Sequence, residues 1–289
     1  MGAANSYAIA YECCVRPTVT FVGTGEATDP ALPNTSLLYR GHRTLLLDCG
    51  YAVPHALWAV ESDPRALDGI YVSHLHADHA FGLPAVLIAM RNGGRRRPLD
   101  ILVASGKARA IQHIADLGYP TSFHPDKCFP IRYVEIPPQG LDWGKARLSV
   151  AQTHHRHVVN HALRVNEERY ALAYSGDGAP TAASMSLYAN AGTLVHECFS
   201  TDAEGCPQGH ACLDALVRLT ETIAVGELCL LHAARHQTVS LGHAVTKLPK
   251  PPILPSPGDV RPVEVACGPW PHNLGRTLPT PGQAPRGGT

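Results

Sequence analysis

Short apolar runs of four to six residues, rich in β-branched side chains and bounded by turn residues, recur along the chain and predict strands. They are Thr18–Val22, Ser36–Tyr39, Thr44–Leu47, Gly69–Ser73, Ile101–Ala104, Arg132–Ile136, Arg147–Gln152, His161–Val165, Tyr170–Ser175, Thr193–His196 and Glu227–Leu231. Helical spacing fills some of the gaps, over Pro54–Val60, Leu83–Arg91, Lys107–Leu117, Ala182–Ala189 and Ala211–Ala224. Strands cluster at the start and then alternate with helices. That order predicts an α/β fold of layered sheets flanked by helices, not a singly wound parallel sheet. No internal repeat is present.

The pattern fades after about Thr238. Pro249, Pro251, Pro252, Pro255 and Pro257 crowd one short stretch, and the last twenty or so residues are rich in Pro and Gly. One domain is therefore expected over residues 1–265, with a late strand around Asp259–Val265, followed by a flexible tail over 266–289.

Composition narrows the class. Hydrophobic residues make up 45% and charged residues 17% of the 289, which suits a packed globular chain and excludes a disordered one. Lys+Arg and Asp+Glu balance at 24 each, so net charge gives no support for a surface that grips nucleic acid throughout. The run Gly93-Gly-Arg-Arg-Arg97 reads as a solvated loop able to touch a phosphate. Nine cysteines, an odd number without paired-ligand spacing, predict reduced thiols in a cytoplasmic protein. No signal peptide and no membrane helix are expected.

The 17 histidines change the picture most. Directly after the predicted strand Gly69–Ser73 come His74-Leu-His-Ala-Asp-His79. In extended chain, His74 and His76 point the same way and can bind one ion, while Asp78 and His79, past the bend, can serve a second. Ligand-type residues at this density after a strand point to a metal centre, where a lone histidine would be an ordinary surface residue.

This His-x-His-x-Asp-His run resembles the signature of the metallo-β-lactamase superfamily, which implies a four-layer αββα fold. The resemblance further implies a third histidine, a bridging carboxylate and a last histidine, each at a strand end. Thr153-His-His-Arg-His157 supplies the third; spacing to the following strand favours His157 or His155, and His157 is chosen, with His155 the rival. Asp177, in Ser175-Gly-Asp-Gly178, is the expected bridge, and His232, after Glu227–Leu231, the last ligand. One ion would then be held by His74, His76 and His157, the other by Asp78, His79 and His232, with Asp177 shared. Two divalent ions are implied, zinc first, with manganese or iron as alternatives.

Other segments resemble the ribonuclease Z-like branch. Phe21-Val-Gly-Thr-Gly25, Asn34-Thr-Ser-Leu-Leu38 and Leu47-Asp-Cys-Gly50 look like its opening strands, and Val195-His-Glu197 like its His-Glu motif. Gly209-His210, expected to open a helix, is similar to the histidine that protonates the leaving oxygen, and His232-Ala-Ala-Arg235 to the closing pattern. The resemblance implies catalytic roles for Asp78, Glu197 and His210 and a hydroxide bridging the two ions. Members that process transfer RNA carry a long gripping arm between the third histidine and the bridging aspartate. Only 19 residues separate His157 from Asp177 here, filled by two strands and a turn, so no arm fits. A short phosphodiester or small molecule is the expected substrate, and a homodimer is implied by resemblance. Hydrolysis of a lactone, thioester or β-lactam on the same fold is the alternative, and a non-catalytic metal-binding protein the third reading.

Overall fold

Two β-sheets take up every strand predicted from the apolar runs, each within two residues at its ends. The computed structural model describes residues 16–268. Cys13, Cys14 and the expected tail from Pro269 onward lie outside the described residues. The first sheet contains β1 (Thr18–Gly23), β2 (Ser36–Arg40), β3 (Thr44–Leu47), β4 (Gly69–Val72), β5 (Leu99–Ala104) and β6 (Ile131–Ile136) in chain order. The second contains β7 (Leu141–Trp143), β8 (Ala146–Gln152), β9 (His161–Glu167), β10 (Tyr170–Tyr174), β11 (Ala191–Glu197) and β12 (Val225–Leu231), reversed so that β12 forms one edge. The late strand is β13 (Val260–Pro262), which pairs antiparallel with β1 at the edge of the first sheet. The chain stays hydrogen-bonded to the second sheet's end through Ala266 and Cys267.

The strands read as near-continuous apolar runs because both faces of each sheet are covered. In β2, Leu37 and Tyr39 face the space between the sheets, while Leu38 faces outward. The inter-sheet core also holds Val19, Phe21, Leu45, Leu47, Leu148, Leu163, Val165, Leu172, Tyr174 and Val195. On the outer face of the first sheet lie α1 (Val53–Val60), α3 (Leu83–Asn92) and α4 (Ala108–Gly118), which bury Leu57, Val86, Leu87, Met90 and Ile111 against Leu46, Ile70 and Val103. On the other side, α5 (Ala182–Tyr188) buries Leu187 and Tyr188 against β9–β11, and α6 (Leu213–Thr222) and α7 (Thr238–Val245) pack Leu216, Leu241 and Val245 beside Leu230. The result is the expected four-layer αββα arrangement.

Besides the short 3-10 turn Arg235–Gln237, three elements were not predicted from the sequence. β7 is only three residues long. A single turn, α2 (Ala77–Ala80), sits inside the histidine cluster. α7 carries Gly242 and three β-branched residues, poor helix formers that burial of Leu241 and Val245 overrides. Helix α6 also starts later than expected, because Ala211 and Cys212 stay extended to pair with Phe199 and Ser200. The arginine run is a solvated loop except at Arg95, its other four residues being exposed. Arg95 is fully buried and donates to the Arg97, Arg65 and Pro98 carbonyls. Arg97 binds Asp68 and further carbonyls, so Arg95 and Arg97 together staple the loop. Seven cysteines are free thiols among the described residues. No helix among the described residues is long and apolar enough to cross a membrane.

Candidate metal centre

Every residue of the site stands just past the end of a strand, on one rim where the two sheets meet. His74 follows β4, and His76 caps the single turn α2, which carries Asp78 and His79. From the other sheet come Asp177 after β10 and His232 after β12. Folding the sheets face to face brings these rims together, so residues far apart in sequence meet.

Their donor atoms form two groups that share Asp177: His74, His76, His155 and Asp177, and Asp78, His79, Asp177 and His232. In the first, His74 Nε2 is 3.0 Å and His155 Nε2 3.2 Å from His76 Nδ1, with Asp177 Oδ2 at 3.9 Å from both His74 and His155. In the second, His79 Nε2 lies 3.2 Å from Asp78 Oδ2 and 3.3 Å from Asp177 Oδ1, and His232 Nε2 lies 3.3 Å from Asp177 Oδ2. Tetrahedral ligand bonds of about 2.0–2.1 Å set donor atoms roughly 3.3 Å apart, the spacing found between several of these pairs. His79 Nε2 and Asp177 Oδ1 are buried without a hydrogen-bond partner among the described residues. Buried polar atoms are seldom left so, and convergent imidazole and carboxylate donors are what a divalent cation satisfies.

The expected third histidine is corrected here. His155 is buried in the first group, whereas His157 is exposed and outside it. Beyond β8, Thr153 N–H still donates to Asn160 O and His154 pairs with Ala179, so alternation turns Thr153 and His155 inward. A turn closed by Val158 N–H on His155 O then carries His157 out to the tip. Extended pairing ran further than spacing to the next strand suggested.

Behind the donors, a set of hydrogen bonds fixes each ring. His79 Nδ1–H donates to the buried Asp48 Oδ2 at 2.7 Å, and Asp48 also accepts from Ser73 N–H and Oγ (2.7 Å each) and from Tyr174 OH (2.6 Å). His155 Nδ1–H donates to Gly209 O at 2.9 Å. Thr35 Oγ1 gives its hydrogen to Gly25 O, so at 3.0 Å it accepts from His232 Nδ1–H. Each of these bonds engages Nδ1 and leaves Nε2 as the ring nitrogen available to a metal. Asp48, Thr35 and Tyr174 were missed as site residues; an aspartate directly after a strand in Leu47-Asp-Cys-Gly50 was the one available signal.

Charge follows from the crowding. Burial and the neighbouring His79 hold His74 well below the usual histidine range, and burial does the same, less strongly, at His76. Burial would raise Asp177, but His232 and His79 outweigh it and hold the carboxyl well below its ordinary value. In the first group, His74 and His76 are thus biased toward the neutral imidazole and Asp177 toward the ionised carboxylate.

Beside the two groups stand Glu197 and His210. Glu197 is buried at the end of β11, and its Oε1 accepts from Gly178 N–H (2.8 Å), Ala211 N–H (3.1 Å) and His210 Nδ1–H (3.1 Å). The His210 ring lies 4.9 Å from that of His155 and 6.1 Å from that of His232, stacked on the latter. Contrary to expectation it opens no helix: it lies in the loop before α6. Burial disfavours its charged form, but the bond to Glu197 and that carboxylate's charge prevail and raise its pKa above the ordinary value. The bond to Glu197 thus occupies Nδ1 and holds the His210 ring beside the centre.

A family model described as "Anti-Pycsar protein Apyc1" matches residues 17–240. The chain is similar to ribonuclease Z of Mycobacterium sp. (strain KMS), 29% identical over 238 residues, covering 74% of this chain and 83% of that protein. Among solved structures it resembles the metallo-β-lactamase fold protein YhfI from Bacillus subtilis, with a TM-score of 0.72, 23% identity and coverage of 86% of this chain and 99% of the other. It also resembles a new diphosphatase from the PhnP family, with a TM-score of 0.69, 17% identity and coverage of 87% and 99%. At these identities the two structural likenesses establish the metallo-β-lactamase fold.

Proposed function

From the premise that this chain belongs to the family of the anti-Pycsar protein Apyc1, we propose that it hydrolyses small phosphodiesters at a centre of two divalent ions, zinc being the first choice. It is a ribonuclease Z-like, metal-dependent hydrolase of the phosphodiesterase type. The observation that carries the finer reading is His210: a histidine hydrogen-bonded to a buried glutamate, with its ring set against ligands of both groups. His74, His76 and His155 would hold one ion, Asp78, His79 and His232 the other, and Asp177 would bridge them. When bound, such ions make a shared water acidic enough to attack near neutral pH and take up charge developing on phosphoryl oxygens. Asp78, buried among the donors, would orient the attacking water, and His210 would deliver a proton to the leaving oxygen. Glu197 keeps His210 in the donor state and aimed.

Size favours a small substrate. Between His155 and Asp177 the chain is used up by a short turn and the β9–β10 hairpin, whose residues pair strand to strand from Leu163 to Tyr174, so no arm projects there to hold a transfer RNA. Hydrolysis of bis(p-nitrophenyl) phosphate, a lactone and nitrocefin, each with zinc and then manganese added, tests the proposal. Turnover of the phosphodiester alone is expected. Turnover confined to the lactone or nitrocefin would replace the phosphodiester reading with the ester or lactam one.

A further inference from the structure

Arg156 follows His155 directly, yet its side chain belongs to neither group of metal donors. Its backbone takes φ +42°, a left-handed conformation that a residue with a β-carbon adopts only when its surroundings hold it there. Its stem lies across the loop that carries His210. A β-carbon at Gly209 would stand 2.7 Å from Arg156 Cγ and 2.5 Å from Arg156 N, so glycine is required there, and Gly209 itself has φ +84°. Arg156 Nε–H donates to Gln208 O at 2.6 Å. These contacts hold the Arg156 stem on the loop that carries His210, one residue along from the metal donor His155. The residue is exposed, and its two terminal NH2 groups meet no acceptor among the described residues.

A guanidinium fork tied at Nε and open at its outer edge is a shape that matches two oxygens of a phosphate. The place of Arg156 directly after the metal donor His155, with its stem packed on the loop of His210, sets this fork at the edge of the centre. The geometry points to Arg156 as a substrate contact whose terminal NH2 groups bind non-bridging phosphoryl oxygens, so that the centre prefers phosphodiesters to uncharged esters. This assignment rests on the phosphodiesterase reading above.

The test uses the metal-loaded full chain as wild type, Arg156→Ala and Arg156→Lys, with inorganic phosphate as the binding probe by titration calorimetry and bis(p-nitrophenyl) phosphate as substrate. Arg156→Ala is expected to keep its metal content, to bind phosphate about 10- to 100-fold more weakly and to raise KM by a similar factor with kcat little changed, as loss of a charge-assisted hydrogen bond implies. Arg156→Lys, which keeps the charge but loses the fork and the tie to Gln208, should recover only part of that loss. Equal phosphate affinity in wild type and Arg156→Ala, no phosphate binding by the wild type, or a lysine variant as weak as the alanine one would each overturn the contact. A wild type that binds phosphate through Arg156 yet hydrolyses no phosphodiester would instead sink the phosphodiesterase reading and leave the contact standing.

Discussion

At the scale of single residues, His155 and His157 form a natural pair of experiments. Their spacing in sequence is equivalent, but only His155 has its Nδ1 engaged and its Nε2 turned to His76. His155→Ala is expected to lose one ion per chain and to drop activity by at least ~10²-fold, while His157→Ala should stay within about two-fold of wild type, because loss of a metal ligand removes the charge that drives the reaction. Metal analysis beside steady-state kinetics checks both; a metal-depleted His157→Ala would reverse the assignment. His210 and Glu197 give the second test. His210→Ala should retain both ions and lose about 10²- to 10⁴-fold in kcat, the usual worth of a general acid. The pH profile carries the sign. Glu197 raises the pKa of His210, so the active protonated form persists above the ordinary histidine range and activity falls as pH climbs through that raised value. Glu197→Gln removes the charge that does the raising, so the alkaline limb should move to lower pH. An unmoved limb would take His210 out of the proton-donor role.

Between elements, the critical joint is where the loop after β3 lies under α2. Cys49 N–H donates to His79 O and Gly82 N–H to Cys49 O, both at 2.8 Å, and a β-carbon on Gly50 would fall 1.9 Å from Asp78 O. This joint fixes where Asp78 and His79 stand. Gly50→Ala must push backbone apart, at a cost of about 1–3 kcal/mol typical of overpacking, and it should weaken the ion of Asp78, His79 and His232 before the other. A denaturant midpoint and metal content equal to wild type would show that the loop yields without disturbing α2. The same joint marks the boundary of what the sequence discloses. Strands were legible because each is an apolar run buried on both faces, and the first four ligands because they share one strand end. Residues that act through a second contact, such as Asp48 on His79 or Thr35 on His232, carry no local signature: an aspartate after a strand looks like any turn. His155 was blurred for a related reason, since pairing of His154 with Ala179 depends on a strand end found only after folding.

For the whole molecule, the order of strands in each sheet was beyond sequence reading, yet it decides what the centre does mechanically. His74, His76, Asp78 and His79 hang from the first sheet, and His155, Asp177 and His232 from the second. Ions held between them would clasp the two halves of the sandwich at one rim, opposite sides of a core that is otherwise apolar. Since the rings are already oriented by Asp48, Thr35 and the Gly209 carbonyl, binding costs little reorganisation and its free energy appears as stability. At a hundredfold excess over Kd, one ion adds about 2.7 kcal/mol. For a chain of this size that corresponds to roughly 5–10 °C in Tm per ion. Chelation should therefore lower Tm by at least that much and abolish hydrolysis, and re-added zinc should restore both together. His155→Ala, which unfastens the clasp from the second sheet at one ion, should show about half the chelator-induced shift. If chelator left Tm untouched while activity vanished, the donors would be gathering an ion without joining the sheets, and the clasp would have to be given up.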